Sequence, residues 1–223
     1  MKKQMSESLL IGTLLAVSGG LMDAYSYLFR GQVFANAQTG NILLLSVHLA
    51  QQEWSLALQY ACPVIAFSIG IAWATITRHI SKQSGWLHWR QICVLFEATV
   101  FFAVGWFPQS MNLFANSLIS LACGIQVETF RIIESTNIAT TMCIGNLRSA
   151  IHSTVTHCIE RGDVDKHAAL ISSTIIAAFA AGAVIGNFLI QNFGTYSIWC
   201  STFIMMVCFK LMFTGMVNGK KNS

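Results

Sequence analysis

Three carboxylates lie inside apolar stretches of this chain: Asp23, Glu97 and Glu128. A charged side chain in hydrocarbon is costly enough that an intramembrane acid is a functional hypothesis by default. The chemistry on offer is proton carriage, because a desolvated carboxyl can hold a proton near neutral pH, or neutralisation of a buried positive charge. Lys210, also within an apolar run, is the candidate charge partner. Two readings stay open for Asp23 and Glu128, the lining of a polar cavity or fold-locking hydrogen bonds, and Lys210 can equally snorkel to an interface.

Beside the acids stands a second polar feature, "VFANAQTGNILLL" at residues 33–45, in which Thr39, Gly40 and Asn41 directly precede a short run of leucines. The pair returns as Gly145-Asn146. The pattern predicts an extended segment over 31–39 that enters the membrane, a tight turn at Gly40 and a half-helix capped by Asn41. Amide protons at a helix start have no water to turn to in lipid, which gives the cap its weight. Two such half-helices would point their positive ends at one midplane site and favour anionic or electron-rich groups. A plain capped helix after a loop is the competing reading.

Other chemistries find little support. His152 and His157 are five apart, near Cys158, Glu160 and His167, and that spacing does not stack ligands on one helical face. The seven cysteines form no Cys-x-x-Cys pair and are read as polarizable core residues. With no P-loop, nucleophile elbow or His-Glu-x-x-His, we expect neither cofactor nor metal nor catalytic residues. The net charge of +4 is scattered over short loops, so nucleic acid is not an expected partner.

What must position these residues is a membrane fold. Only 10% of residues are charged, against 54% hydrophobic, and mean hydropathy is +0.59. Apolar runs at Leu9–Phe29, Tyr60–Thr77, Ile92–Phe107, Leu113–Phe130, Ala168–Ile190 and Thr195–Val217 predict six transmembrane helices in one all-α domain over 1–223, with the lipid bilayer as solvent. Segments 40–54 and 139–158 are too short or too polar to cross and read as re-entrant or interfacial pieces. With six spans and both termini cytoplasmic, Arg30 is the sole Lys or Arg outside and Lys210 lies within a span, out of 13 in all. The alternative of seven or eight spans loses that bias, and eight force Arg148 into lipid.

The chain also repeats. A shift of 105 aligns Gly19 with Gly124, Asp23 with Glu128, and Gly40-Asn41 with Gly145-Asn146; "GIAWA" at 70–74 meets "GAVIG" at 182–186 once the shift grows by seven. Repeat one would span about 9–107 and repeat two about 113–217, related by inverted topology, as in many transporters. Gly182-x3-Gly186 and Ala66-x3-Gly70-x3-Ala74 read as close packing between spans two and five, or as the seam of a homodimer.

"GGLMDAYSYLFRGQVFANAQTGNILLL", with later "CGIQVETFR" and "TTMCIGNL", closely resembles the signatures of the YoaK-like family of bacterial multi-pass membrane proteins. The likeness rests on Gly19-Gly20, Asp23 with the aromatic after it, Phe34 and Thr39-Gly40-Asn41. This chain departs from the pattern at Ile144, where a Thr is expected before the second Gly-Asn. The resemblance implies a multi-span fold in the bacterial inner membrane and no activity, since the family's domain has none assigned. Taken together the residues predict a small-solute transporter or channel; an assembly partner for another membrane protein, or an intramembrane enzyme, are the alternatives.

Overall fold

The computed structural model describes residues 5–81, 88–134, 136–138, 140–160 and 163–221. Helix α1 (Leu9–Ala24) starts where the hydroxyl of Ser8 accepts the Ile11 amide, and it widens into a π-helical turn over Tyr25–Phe29. Gly31 and Gln32, both with positive φ, stop it. An irregular segment then leads to α2 (Gln38–Ala50); a turn through Gln52 turns the chain back into α3 (Trp54–Ser81).

Helix α4 (Trp89–Val104) opens on a capping box in which the His88 ring accepts the Arg90 amide and Gln91 reaches back to the His88 N–H. An accepting ring must be neutral; burial, then the Arg90 guanidinium, push the His88 imidazole below its ordinary range. Helix α5 (Asn112–Thr129) is followed by strands β1 (Ile132–Ile133) and β2 (Thr136–Asn137), paired antiparallel with Ile132 opposite Asn137. Helices α6 (Cys143–Glu160), α7 (Asp163–Phe193) and α8 (Trp199–Lys221) complete the chain, the last two joined by a turn at Gly194.

Among the described residues four stretches are long and apolar enough to cross a membrane: Leu9–Phe29, Trp54–Ile80, Gln109–Thr129 and Lys166–Thr214, the last holding most of α7 and α8. At 16 residues α4 falls short of that length. The surface is inverted relative to a water-soluble domain: Trp54, Ile65, Ile69, Val184, Phe188 and Phe203 are all exposed. The main core instead gathers Leu15 and Leu21 of α1, Phe101 of α4, Ile119 of α5 and Met205 of α8.

Glycines set which helices meet. A Cβ on Gly20 of α1 would stand 1.9 Å from the Phe179 carbonyl oxygen of α7, and one on Gly182 would stand 2.0 Å from that of Val17. The same arrangement joins α3 to α5, where Gly70 meets Leu121 at 2.1 Å and Gly124 meets Phe67 at 2.1 Å. In each seam a glycine faces the residue three before its partner glycine, so the backbones touch directly.

This corrects the expected pairing. The small-residue faces of the second and fifth apolar runs pack on the fourth and first, not on each other. Gly186 is likewise occupied within the chain, by Leu21 and Ala24. The register also differs by one: it is Gly20, not Gly19, that stands in the place of Gly124.

Candidate functional site

Two irregular segments run in from opposite ends of the fold and stop at the same place. The first starts at Arg30 and reaches Asn36, whose side-chain amide donates to the Gly19 carbonyl at 3.1 Å. The second starts beside Glu7, where the Glu134 N–H donates to the Glu7 carbonyl, and climbs to Thr140 and Thr141. A Cβ on Gly19 would lie 3.4 Å from both the Thr140 carbonyl oxygen and the Thr141 methyl. Gly19 stands midway between Ser8 and Arg30, so each segment penetrates about 16 Å along α1.

Asp23 organises the first segment. Its carboxylate accepts the Asn36 N–H at 2.8 Å, and the Ser26 hydroxyl, itself donating to the Asp23 carbonyl, accepts the Ala35 N–H at 3.1 Å. The second segment leans on Gln126 of α5, which donates to the Leu15 carbonyl and to the Thr140 hydroxyl. Several oxygens around this junction are buried without a donor among the described residues: Asn36 Oδ1, Gln126 Oε1, Thr141 Oγ1 and Ser18 Oγ. Acceptors of this kind, half-way down a helix pair, suit water, a proton carrier or a donor-bearing solute.

The Gly-Asn pairs sit at equivalent places but do not act as expected. Helix α2 starts at Gln38 and α6 at Cys143, so in both the Gly is the third helical residue and the Asn the fourth. Asn41 is therefore no cap, and Gly40 makes no tight turn. Asn41 is fully buried and clamps the peptide of Phe34, accepting its N–H at 3.0 Å and donating to its carbonyl at 2.7 Å. Gly40 leaves room for the Phe34 ring, which would lie 2.8 Å from a Cβ. Thr39 is exposed; Asn146 is buried, and nothing stands within 4 Å of where a Gly145 Cβ would be. We expect Asn41→Leu to cost about 2–4 kcal/mol, because two buried backbone groups lose their partner, and to expose the 31–37 segment to protease in a limited-digestion assay.

The acids do not converge on one another. Glu128, in the last turn of α5, pairs with Arg131 at 3.3 Å. Glu97 is fully buried in α4, both carboxylate oxygens without a donor among the described residues, within the electrostatic reach of Cys93, Cys123 and Cys208. Lys210 is exposed on α8 and forms no ion pair among the described residues, so it is not the counter-charge of Glu97. Of the three acids, Asp23 is the one that holds a backbone amide of an incoming segment among the described residues.

One residue escaped the sequence reading. Arg30, outwardly a lone loop charge, is fully buried and donates to the Tyr25 hydroxyl, to the Val104, Phe107 and Pro108 carbonyls and to Asn112. It thereby neutralises the C-terminal end of α4 and fixes the root of the first segment. The only signal was an Arg five residues after a Tyr at the end of an apolar run.

A family model described as a protein of unknown function, DUF1275, matches residues 11–211. The chain belongs to this family. DUF1275 is the YoaK family, in agreement with the signatures at Gly19–Leu45. No curated protein and no solved structure matches the chain. For this DUF1275 member the junction at Gly19 and Asp23 is thus the place where function has to be argued from geometry.

Proposed function

We propose that this DUF1275 protein is a small-solute transporter or channel of the bacterial inner membrane. In this reading it has six transmembrane helices in two inverted three-helix repeats, and the solute passes the junction at Gly19. The observation that carries it is the meeting of two irregular segments half-way along α1. In lipid such backbone is tolerated only where protein buries it or a polar cavity receives it. The repeat is supported by the two glycine seams, α1 on α7 and α3 on α5, built with one geometry. The equivalent placing of Gly40-Asn41 and Gly145-Asn146 supports it further. Inverted repeats with broken elements at the midplane are the architecture of many secondary transporters.

Asp23 is the pathway residue in this reading. It is half-buried, it holds the Asn36 amide, and it stands one helical turn from Gly19, where both segments end. Glu97, sealed in the core, is a second acid, and Cys123 lies within electrostatic reach of both. Glu128 and Lys210 take no part.

The test is solute flux into vesicles carrying the full chain. Asp23→Asn keeps the hydrogen bond to Asn36 and removes the charge, so we expect protein level to be normal and flux to fall by about tenfold or more. Undiminished flux in Asp23→Asn removes that residue from the pathway. An absence of flux in the native protein, with complex formation instead lost in Asp23→Asn, gives the role of assembly partner to the chain.

A further inference from the structure

Helix α6 has three faces, and among the described residues one of them packs on a neighbouring helix, α7. Asn146, Ala150, Ser153 and His157 form a stripe at helical spacing that is buried or half-buried against α7. Ile144, Leu147, Ile151, Val155 and Ile159 form an exposed apolar stripe about a third of a turn away, the side suited to lipid. The remaining third carries Gly145, Arg148, Ser149, His152 and Thr156. A shallow, open depression of about 300 Å³ lies on it, lined among the described residues by Gly145, Arg148, Ser149 and His152.

A basic face at this depth needs a polar partner. The segment before α6 ends against Gly19, midway along α1, and Arg148 comes only five residues after Cys143, so its Cα lies about 8 Å from that level. No described carboxylate pairs with it. Side chains on a helix lean toward its N-terminus, which here carries the guanidinium toward the junction and away from the Glu160 end. Snorkelling to headgroups at that end therefore works against the direction of the side chain. The corresponding face of α2, at a shift of 105, carries Leu43, Leu44 and Val47. The basic face is present on one side of the junction only.

We propose that Arg148, Ser149 and His152 form a binding site for an oxyanion, a carboxylate or phosphate group, at the α6 mouth of the pathway. The guanidinium supplies a planar pair of donors, the Ser149 hydroxyl and the His152 ring supply further donors, and Gly145 leaves the approach open. The proposal rests on the transport reading for its place on the pathway, though not for the binding itself.

Binding is measured on the purified full chain in neutral detergent, with sodium phosphate and sodium succinate as probes, sodium chloride at matched ionic strength as the control, and phosphatidylglycerol against phosphatidylcholine as the lipid arm. Phosphate or succinate should raise the unfolding temperature saturably. In Arg148→Gln the half-saturating concentration should rise by about tenfold or more, as expected on losing a charged hydrogen-bond partner. The exposed position predicts an unchanged elution profile and unliganded unfolding temperature, and Arg148→Lys should recover part of the affinity. Equal responses of native and Arg148→Gln protein to both probes, or protection by phosphatidylglycerol alone, overturn the site. The outcome is separable from the flux test: Arg148-dependent binding without flux in vesicles keeps the site and removes transport, whereas flux of uncharged solutes with no such binding does the reverse.

Discussion

Replacing Arg30 by Met should leave little folded protein. The guanidinium donates to the Tyr25 hydroxyl, to three carbonyls at the end of α4 and in the following turn, and to Asn112 at the start of α5. Its rim is closed by the rings of Tyr25 and Phe29, 5.3 and 5.6 Å away. With Arg30 gone, the buried Val104 carbonyl and the partly buried carbonyls of Phe107 and Pro108 lose a charged donor together, and at about 1–3 kcal/mol for each acceptor left unsatisfied the loss comes to about 3–5 kcal/mol. Lys offers a single ammonium and cannot replace a planar fork that serves five groups. We therefore expect Arg30→Met and Arg30→Lys both to lower the unfolding midpoint of the detergent-solubilised protein sharply, Met more so. A Met variant that matched the native midpoint would show that the carbonyls of Val104, Phe107 and Pro108 do not need it.

The glycine seams should be the second point of failure. At Gly20 and Gly182 the obstacle to a side chain is the backbone of the facing helix, not the tip of a flexible group, so nothing cheap can move. Gly20→Ala or Gly182→Ala must push α1 and α7 apart, and overpacking of this sort costs about 1–3 kcal/mol at the least. Gly70→Ala and Gly124→Ala should do the same to α3 and α5. Gly145→Ala provides the contrast: its Cβ position meets nothing within 4 Å, and Ala is the better helix former by about 1 kcal/mol. Thermal unfolding of the five variants should therefore split four against one. Comparable midpoints for Gly20→Ala and Gly145→Ala would refute the backbone-contact account of the seams.

The sequence made the long apolar helices, the two interruptions before residues 40 and 145, and the close approach at Gly70 and Gly182 legible, because each follows from composition or local spacing. It did not disclose which helix faces which. A small-x3-small pattern says that some backbone comes close, and Gly182 could as well have met Gly70 as Val17. Asn41 shows the same limit: Asn before a leucine run is a good cap by local chemistry, but the helix begins three residues earlier and the side chain serves Phe34 instead. Arg30 was misleading for a physical reason. Its partners are carbonyls from 74 to 78 residues away, and an unpaired carbonyl leaves no trace in the sequence. Glu128, which the shift of 105 sets against Asp23, has no matching role: it pairs with Arg131 at the end of its own helix, whereas Asp23 holds the incoming Asn36 amide.

The glycine seams also govern the order in which the protein can be made. Gly20 has no partner until Gly182 has left the ribosome, and Gly70 must wait for Gly124. The early helices thus enter the bilayer with their tightest surfaces bare, and the halves close on each other only near the end of synthesis. A nascent chain stalled before α7 would carry α1 as a loose rod, its glycine face open to lipid or to a passing chaperone.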